Sequence, residues 1–211
     1  MRWMEGAAAA RSWRAWAQLG VGLVGFAAAV AVMVRSNLGL GPWDAFHVGL
    51  SRQTGISIGT ASIVTGVAIV AGSLLIGIPP GPATLANMVF VGALMDLLMA
   101  VIPDARSLPV GLAMYVAALA LCGLATGYYI AAGLGKGPRD GLMLGLAAKT
   151  GHSVRRVRTL IELSALAFGW AMGGPVGIGT VLFAVGIGPA VQWGLRVCGV
   201  PHAEAPAAVE P

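Results

Sequence analysis

Leu38-Gly39-Leu40-Gly41-Pro42-Trp43-Asp44 is a stretch that the chain spells twice. Ninety-six residues further on stands Leu134-Gly135-Lys136-Gly137-Pro138-Arg139-Asp140, with glycine, proline and aspartate in the same places. The offset then holds without a gap. Gly49 and Leu50 match Gly145 and Leu146, and Thr54, Gly55 and Ser57 match Thr150, Gly151 and Ser153. Further along, Pro79, Gly81 and Thr84 match Pro175, Gly177 and Thr180. A constant offset carried by glycines, prolines and a carboxylate marks an internal repeat, the signal to be read before any other. The chain reads as two copies of one unit.

Composition says where those copies reside. Charged residues make up 10% of the 211, against roughly a quarter in an ordinary soluble domain. Hydrophobic residues reach 57%, with 32 glycines, which indicates a polytopic membrane protein whose surroundings are the lipid bilayer. The net charge of +5 is spread too thinly for a nucleic-acid surface. Cys122 and Cys198 have neither disulfide nor metal spacing and read as inert thiols.

Six apolar runs follow one another: Ala15–Val34, Ile56–Ile78, Ala83–Ile102, Leu108–Leu134, Thr159–Met172 and Val176–Leu195. About twenty residues cross a bilayer, and most of the runs reach that length. The fifth is short and borrows from 153–158, its arginines reaching back to the interface. The first run follows Arg2, Arg11 and Arg14 as a signal peptide would. It is long for one, however, and its partner around 111–130 is internal, so it reads as a retained helix. Each unit is then helix, Gly-Pro-x-Asp loop, helix, Pro-Gly turn, helix. Three crossings per unit put the second copy upside down.

Charge distribution tests that arrangement independently. With the N-terminus inside, cytoplasmic segments hold ten of the thirteen Lys and Arg, and the opposite side holds Arg35, Arg52 and Arg106, as the positive-inside rule requires. The expected fold is an all-α polytopic membrane protein with six transmembrane helices as an inverted 3+3 repeat. Residues 1–14 form a cytoplasmic segment, 15–102 and 103–198 the two repeats, and 199–211 a cytoplasmic tail. Trp43, Phe46 and Leu50 recur at helical spacing between polar residues, so each unit carries a short amphipathic or re-entrant helix after its first helix.

The Gly39-Leu40-Gly41-Pro42-Trp43-Asp44 loop, followed by Thr54-Gly55-Ile56-Ser57-Ile58-Gly59-Thr60 at the entry to the next helix, resembles the YczE branch of the YczE/YyaS/YitT group of bacterial integral membrane proteins. The resemblance covers roughly 15–195 and implies a multi-pass protein of the bacterial inner membrane, of unassigned, transport-related function. It supplies no catalytic or ligand residues.

Asp44 and Asp140, matched across the repeat, suit a cation or proton on a pseudo-symmetric path. They equally suit a helix start, with proline first and a carboxylate in the first turn. Asp96 lies inside an apolar run, its counterpart being Gln192. A charge there costs roughly 2.5–3.5 kcal/mol and usually faces a bundle or cavity. Glu162 falls one turn after Arg158 and suits an ion pair with it. Thr84 and Thr180 follow the turns and suit helix caps or a path lining, and Asn87 suits an interhelical hydrogen bond. The loop motif itself comprises Gly39, Gly41, Pro42 and Trp43, then Gly135, Gly137 and Pro138.

His47 has no second ligand at metal spacing, and Trp13, Trp16 and Trp43 suit interfacial belts. Gly141 and Gly145, and Gly169 and Gly173, have the spacing of closely packed helices. Phosphate-loop and zinc-protease signatures are absent from the sequence and no Ser/His/Asp set can be assembled from it, so no enzyme, cofactor or metal centre is expected. The expected function is a small-solute transporter or channel. The alternatives are a non-transporting accessory protein that docks a membrane partner or a second copy through its glycine faces, and a motor-less substrate-binding subunit of a larger transporter.

Overall fold

The computed structural model describes residues 12–135 and 137–200. Residues 1–11 and 201–211, which hold most of the expected terminal segments, lie outside the described residues, as does Lys136. Among the described residues the fold is all-helical: α1 (Trp13–Arg35), α2 (Pro42–Thr54), α3 (Ile58–Leu75), α4 (Pro82–Val101), α5 (Leu108–Ala131), α6 (Pro138–Thr150), α7 (Val154–Ala171) and α8 (Ile178–Val197).

The 96-residue offset governs these bounds. Adding it to those of α2, α3 and α4 gives those of α6, α7 and α8 residue for residue, and α1 and α5 end in register. The punctuation repeats as well. Gly55 and Gly151 close α2 and α6 at φ 75° and 71°, the left-handed conformation that only glycine adopts without strain. Ser57 and Ser153 then cap α3 and α7 by accepting from the amides of Thr60 and Arg156.

Five helices, α1, α3, α4, α5 and α8, are long and apolar enough to cross a membrane. α7 is as long as α3 at 18 residues, but Arg155, Arg156, Arg158 and Glu162 occupy its first half. Its apolar part is the short run seen in the sequence, extended N-terminally through 154–158 as expected. The outer surface is apolar, with Leu75 89% and Val185 73% exposed. Side chains of that size in such number belong against lipid, not water.

At the centre α1 packs on its own counterpart, α5. A Cβ at Gly22 would fall 2.7 Å from the Tyr129 amide nitrogen, and one at Gly25 would fall 3.2 Å from the Ala125 Cβ. Moving up α1 therefore means moving down α5, so the matched helices are antiparallel. α4 flanks α1 through Val30, Ala31, Met95 and Met99. α8 flanks α5 where Gly123 and Gly127 meet Ala190 and Gly194 backbone to backbone.

The short helices and loops cross over between units. α2 lies on α7, and α6 lies on α3. The Gly179 amide donates to Leu38 O at 2.7 Å, and its counterpart Ala83 donates to Leu134 O at 3.3 Å. Each Gly-Pro-x-Asp loop is thus bonded to the start of the other unit's last helix. In a bilayer no water satisfies broken helix ends, so exposed backbone groups must find protein partners. The other repeat supplies them.

Candidate functional site

Both Gly-Pro-x-Asp motifs open onto one cavity of about 680 Å³, open to the outside past Arg158 and Gln192. Its walls come in matched pairs. Phe26, Val30 and Met33 of α1 stand opposite Cys122, Thr126 and Tyr129 of α5, the same three positions one offset apart. Trp43 pairs in this sense with Arg139, and Asp44 with Asp140. The cavity straddles the pseudo-two-fold axis, yet its two halves differ chemically. The α1 wall is apolar and the α5 wall carries a thiol and two hydroxyls.

Pro42 and Pro138 start α2 and α6, where a missing N–H does no harm and a fixed φ suits the helix. That start projects the next two side chains of each motif into the cavity. The two side chains at the variable position meet: the Arg139 guanidinium lies over the Trp43 ring, 4.8 Å from its centroid. Arg139 Nη2 also lies 3.2 Å from His47 Nε2. A guanidinium can only donate, so Nε2 is the acceptor and the imidazole is neutral, with its proton on Nδ1. That Nδ1 is buried without a hydrogen-bond partner, and Asp44 Oδ1 is 3.8 Å away.

The two aspartates differ in their company. Asp140 Oδ2 accepts from the Tyr129 hydroxyl at 3.5 Å. Asp44 is 9% exposed, and among the described residues it accepts no hydrogen bond within 3.5 Å. Neither aspartate caps its helix, since Gly41 and Gly137 hold the N-cap positions without side-chain bonds. The helix-start reading accounts for their place in the chain but leaves their oxygens uncommitted.

Of the other sequence-derived residues, Asn87, Gln192 and Glu162 line the cavity. Glu162 does so while paired with Arg158 at 2.8 Å. Asp96, Thr84 and Thr180 do not line it. The Asp96 carboxylate accepts from the Gly59 amide at 2.8 Å and from the Ser57 hydroxyl, so from α4 it closes the N-terminus of α3. Thr84 and Thr180 accept from the Gly81 and Gly177 amides at 3.2 and 3.1 Å. Thr180 also donates to Leu40 O at 2.8 Å, tying the first motif to α8. Gly39 and Gly135 hold φ of 96° and 126°. A Cβ at Gly39 would overlap the Gly177 backbone.

Arg139, His47 and Tyr129 were not legible as site residues. The one signal, and for Arg139 alone, was the variable position of the motif, tryptophan in one copy and arginine in the other. Trp43, which suits an interfacial belt by type, instead lines the cavity beneath Arg139.

A family model described as "Family of unknown function (DUF6198)" matches residues 13–196, the whole helical body. The chain belongs to that family. Within the YczE/YyaS/YitT group it falls on the YczE branch. It is 36% identical over 182 residues to "Uncharacterized membrane protein YczE" of Bacillus subtilis, covering 85% of each chain. It is 32% identical over 172 residues to an "Uncharacterized protein" of Haemophilus influenzae, covering 81% of this chain and 79% of the relative. To "Uncharacterized protein YyaS" of Bacillus subtilis it is 28% identical, covering 77% of this chain and 83% of the relative. No solved structure matches. The chain is an integral, multi-pass membrane protein, as its apolar helices and its YczE relative agree.

Proposed function

We propose that this protein is a small-solute transporter of the bacterial cytoplasmic membrane, built as an inverted 3+3 repeat, with the cavity between its two Gly-Pro-x-Asp motifs as the solute site. The observation that carries the reading is a largely apolar cavity, with Asp44, Arg139 and Asp140 in its lining, at the meeting of two antiparallel copies. Inverted repeats generate two related conformations, open to opposite sides, and such transporters place their sites at broken helices on the repeat interface. Here α2 and α6 are the broken elements and their N-terminal turns face the solute. The repeats run over 15–102 and 103–198, with both termini cytoplasmic.

Six crossings follow once α7 is counted. Eighteen residues span about 27 Å at the helical rise, close to the hydrocarbon thickness. The long side chains of Arg155 and Arg156 reach the headgroups from its first turn. The glycine faces that an accessory protein would offer a partner are largely used internally. Gly169 lies against Phe46 and Ala45, Gly145 against Ile78, and Gly123 against Ala190. That weighs for transport over docking.

Alternating access is the property to test. Thr126 lines the cavity, so a Thr126→Cys variant with Cys122→Ala and Cys198→Ser reports its exposure. An impermeant thiol reagent should label it from outside in intact cells and from inside in inverted vesicles. Labelling from one face only, or from neither, describes a static cavity and defeats the transporter reading.

A further inference from the structure

We infer that the cavity binds an organic monocation with an apolar body, its charge held by Asp44 and Asp140. The inference rests on the proposed transport role and names its substrate class. It starts from a charge imbalance. Five described charged residues line the cavity: Asp44, Asp140 and Glu162 against Arg139 and Arg158. Glu162 and Arg158 pair with each other, so Arg139 faces two carboxylates. One negative charge is left over.

Asp44 is the residue at which that excess is exposed to a ligand. It is nine-tenths buried and lines the cavity, with no hydrogen bond from a described residue and a His47 Nδ1 too distant for one. Burial raises the Asp44 pKa against the opposing pull of Arg139, so its charge is costly unless the carboxyl takes a proton or a further cation arrives. A monocation removes the cost.

The walls decide between an organic and an inorganic cation. A metal ion needs several hard oxygens closing around it, and no described cluster of three His, Cys, Asp or Glu residues could hold one. The volume is that of a ligand pocket, which ordinarily runs from about 300 to 1,000 Å³. Phe26, packed edge-on against Tyr129 at 6.3 Å, joins Val30, Met33, Val91 and Ile187 as apolar wall. Aromatic faces and thioethers favour a desolvated organic cation and offer nothing to a hydrated ion.

The test is equilibrium binding to the purified full chain in lipid nanodiscs, which needs no transport. The probe is tetraphenylphosphonium, with tetraphenylborate as its anionic counterpart of equal shape. Tetraphenylphosphonium should bind saturably, and Asp44→Asn should weaken it at least tenfold. Asp104→Asn, an exposed carboxylate paired with Arg35 on the surface, should leave binding unchanged. Should Asp44→Asn fail to fold, Asp140→Asn serves in its place with the same expected loss. Absence of saturable binding, indifference to both cavity substitutions, or equal binding of tetraphenylborate would each overturn the assignment. Asp44-dependent binding with cavity labelling from one face only would retain the site and remove the transporter. Two-faced labelling without binding would retain the transporter and remove the substrate class.

Discussion

Asp44 and Asp96 are both carboxylates in apolar surroundings, and opposite consequences follow from replacing them. Asp96 holds the Gly59 amide and the Ser57 hydroxyl, two bonds to a charged acceptor at a helix N-terminus where the macrodipole favours it. Asp96→Ala should lower the stability of the detergent-purified protein by about 1.5–3 kcal/mol, the worth of hydrogen bonds to a charged group. Asp44→Asn should do the reverse. It removes the excess charge and leaves Arg139 balanced by Asp140, so the unliganded melting temperature should hold or rise. Thermal melts of the two variants beside the parent check both signs, and a fall for Asp44→Asn would mean that its carboxylate is already satisfied. The sequence separates the two only by place, Asp44 at a helix start and Asp96 within a spanning run. It shows a carboxylate inside an apolar run, but not that the start of α3 lies alongside.

Glycines set the closest helix approaches, beside side-chain packing such as that of Met95 and Met99 on Val30 and Ala31. Gly123 of α5 and Gly194 of α8 face each other so closely that a Cβ on either would enter the other helix's backbone. In lipid, where helices gain little from hydrophobic association, such close approach is the main source of packing energy. Gly194→Ala should destabilise by about 1–3 kcal/mol, as overpacking typically does. Gly20 lies on the outer face of α1, where an added methyl group would meet no atom within 4 Å. Gly20→Ala should be neutral or stabilising by up to about 1 kcal/mol from helix propensity alone. Loss of stability in both variants, read from the same thermal melts, would mean that Gly20 also faces a helix. At this scale the sequence was informative. The apolar runs and the Gly-Pro starts placed the helices to within a few residues, the short fifth run doing so once 153–158 is added to it, because those signals answer to local composition and backbone geometry. Trp43 meeting Arg139 depends on where the two copies touch, and no local signal carries that.

The whole molecule turns on the orientation of its two copies. Antiparallel α1 and α5 and the reciprocal loop bonds describe a two-fold relation within the protein. A two-fold that relates antiparallel helices is perpendicular to them; whether each copy crosses three times depends on α7. Gln53 and Lys149 occupy the same place at the ends of α2 and α6, and both are exposed. With Cys122 and Cys198 replaced, Gln53→Cys and Lys149→Cys should report opposite faces. In intact cells an impermeant thiol reagent should label the first and spare the second, and permeabilisation should expose both. If α7 does not cross, five helices remain, and the end of α6 and the C-terminus fall on opposite sides. A second site then separates the cases: Gly199→Cys, just past α8, should be protected in intact cells together with Lys149→Cys. Labelling of Gly199→Cys while Lys149→Cys stays protected would leave α7 on the surface and break the three-plus-three arrangement. Labelling of both Gln53→Cys and Lys149→Cys would make the copies parallel in the membrane and leave the cavity without the inverted pair of conformations that transport needs.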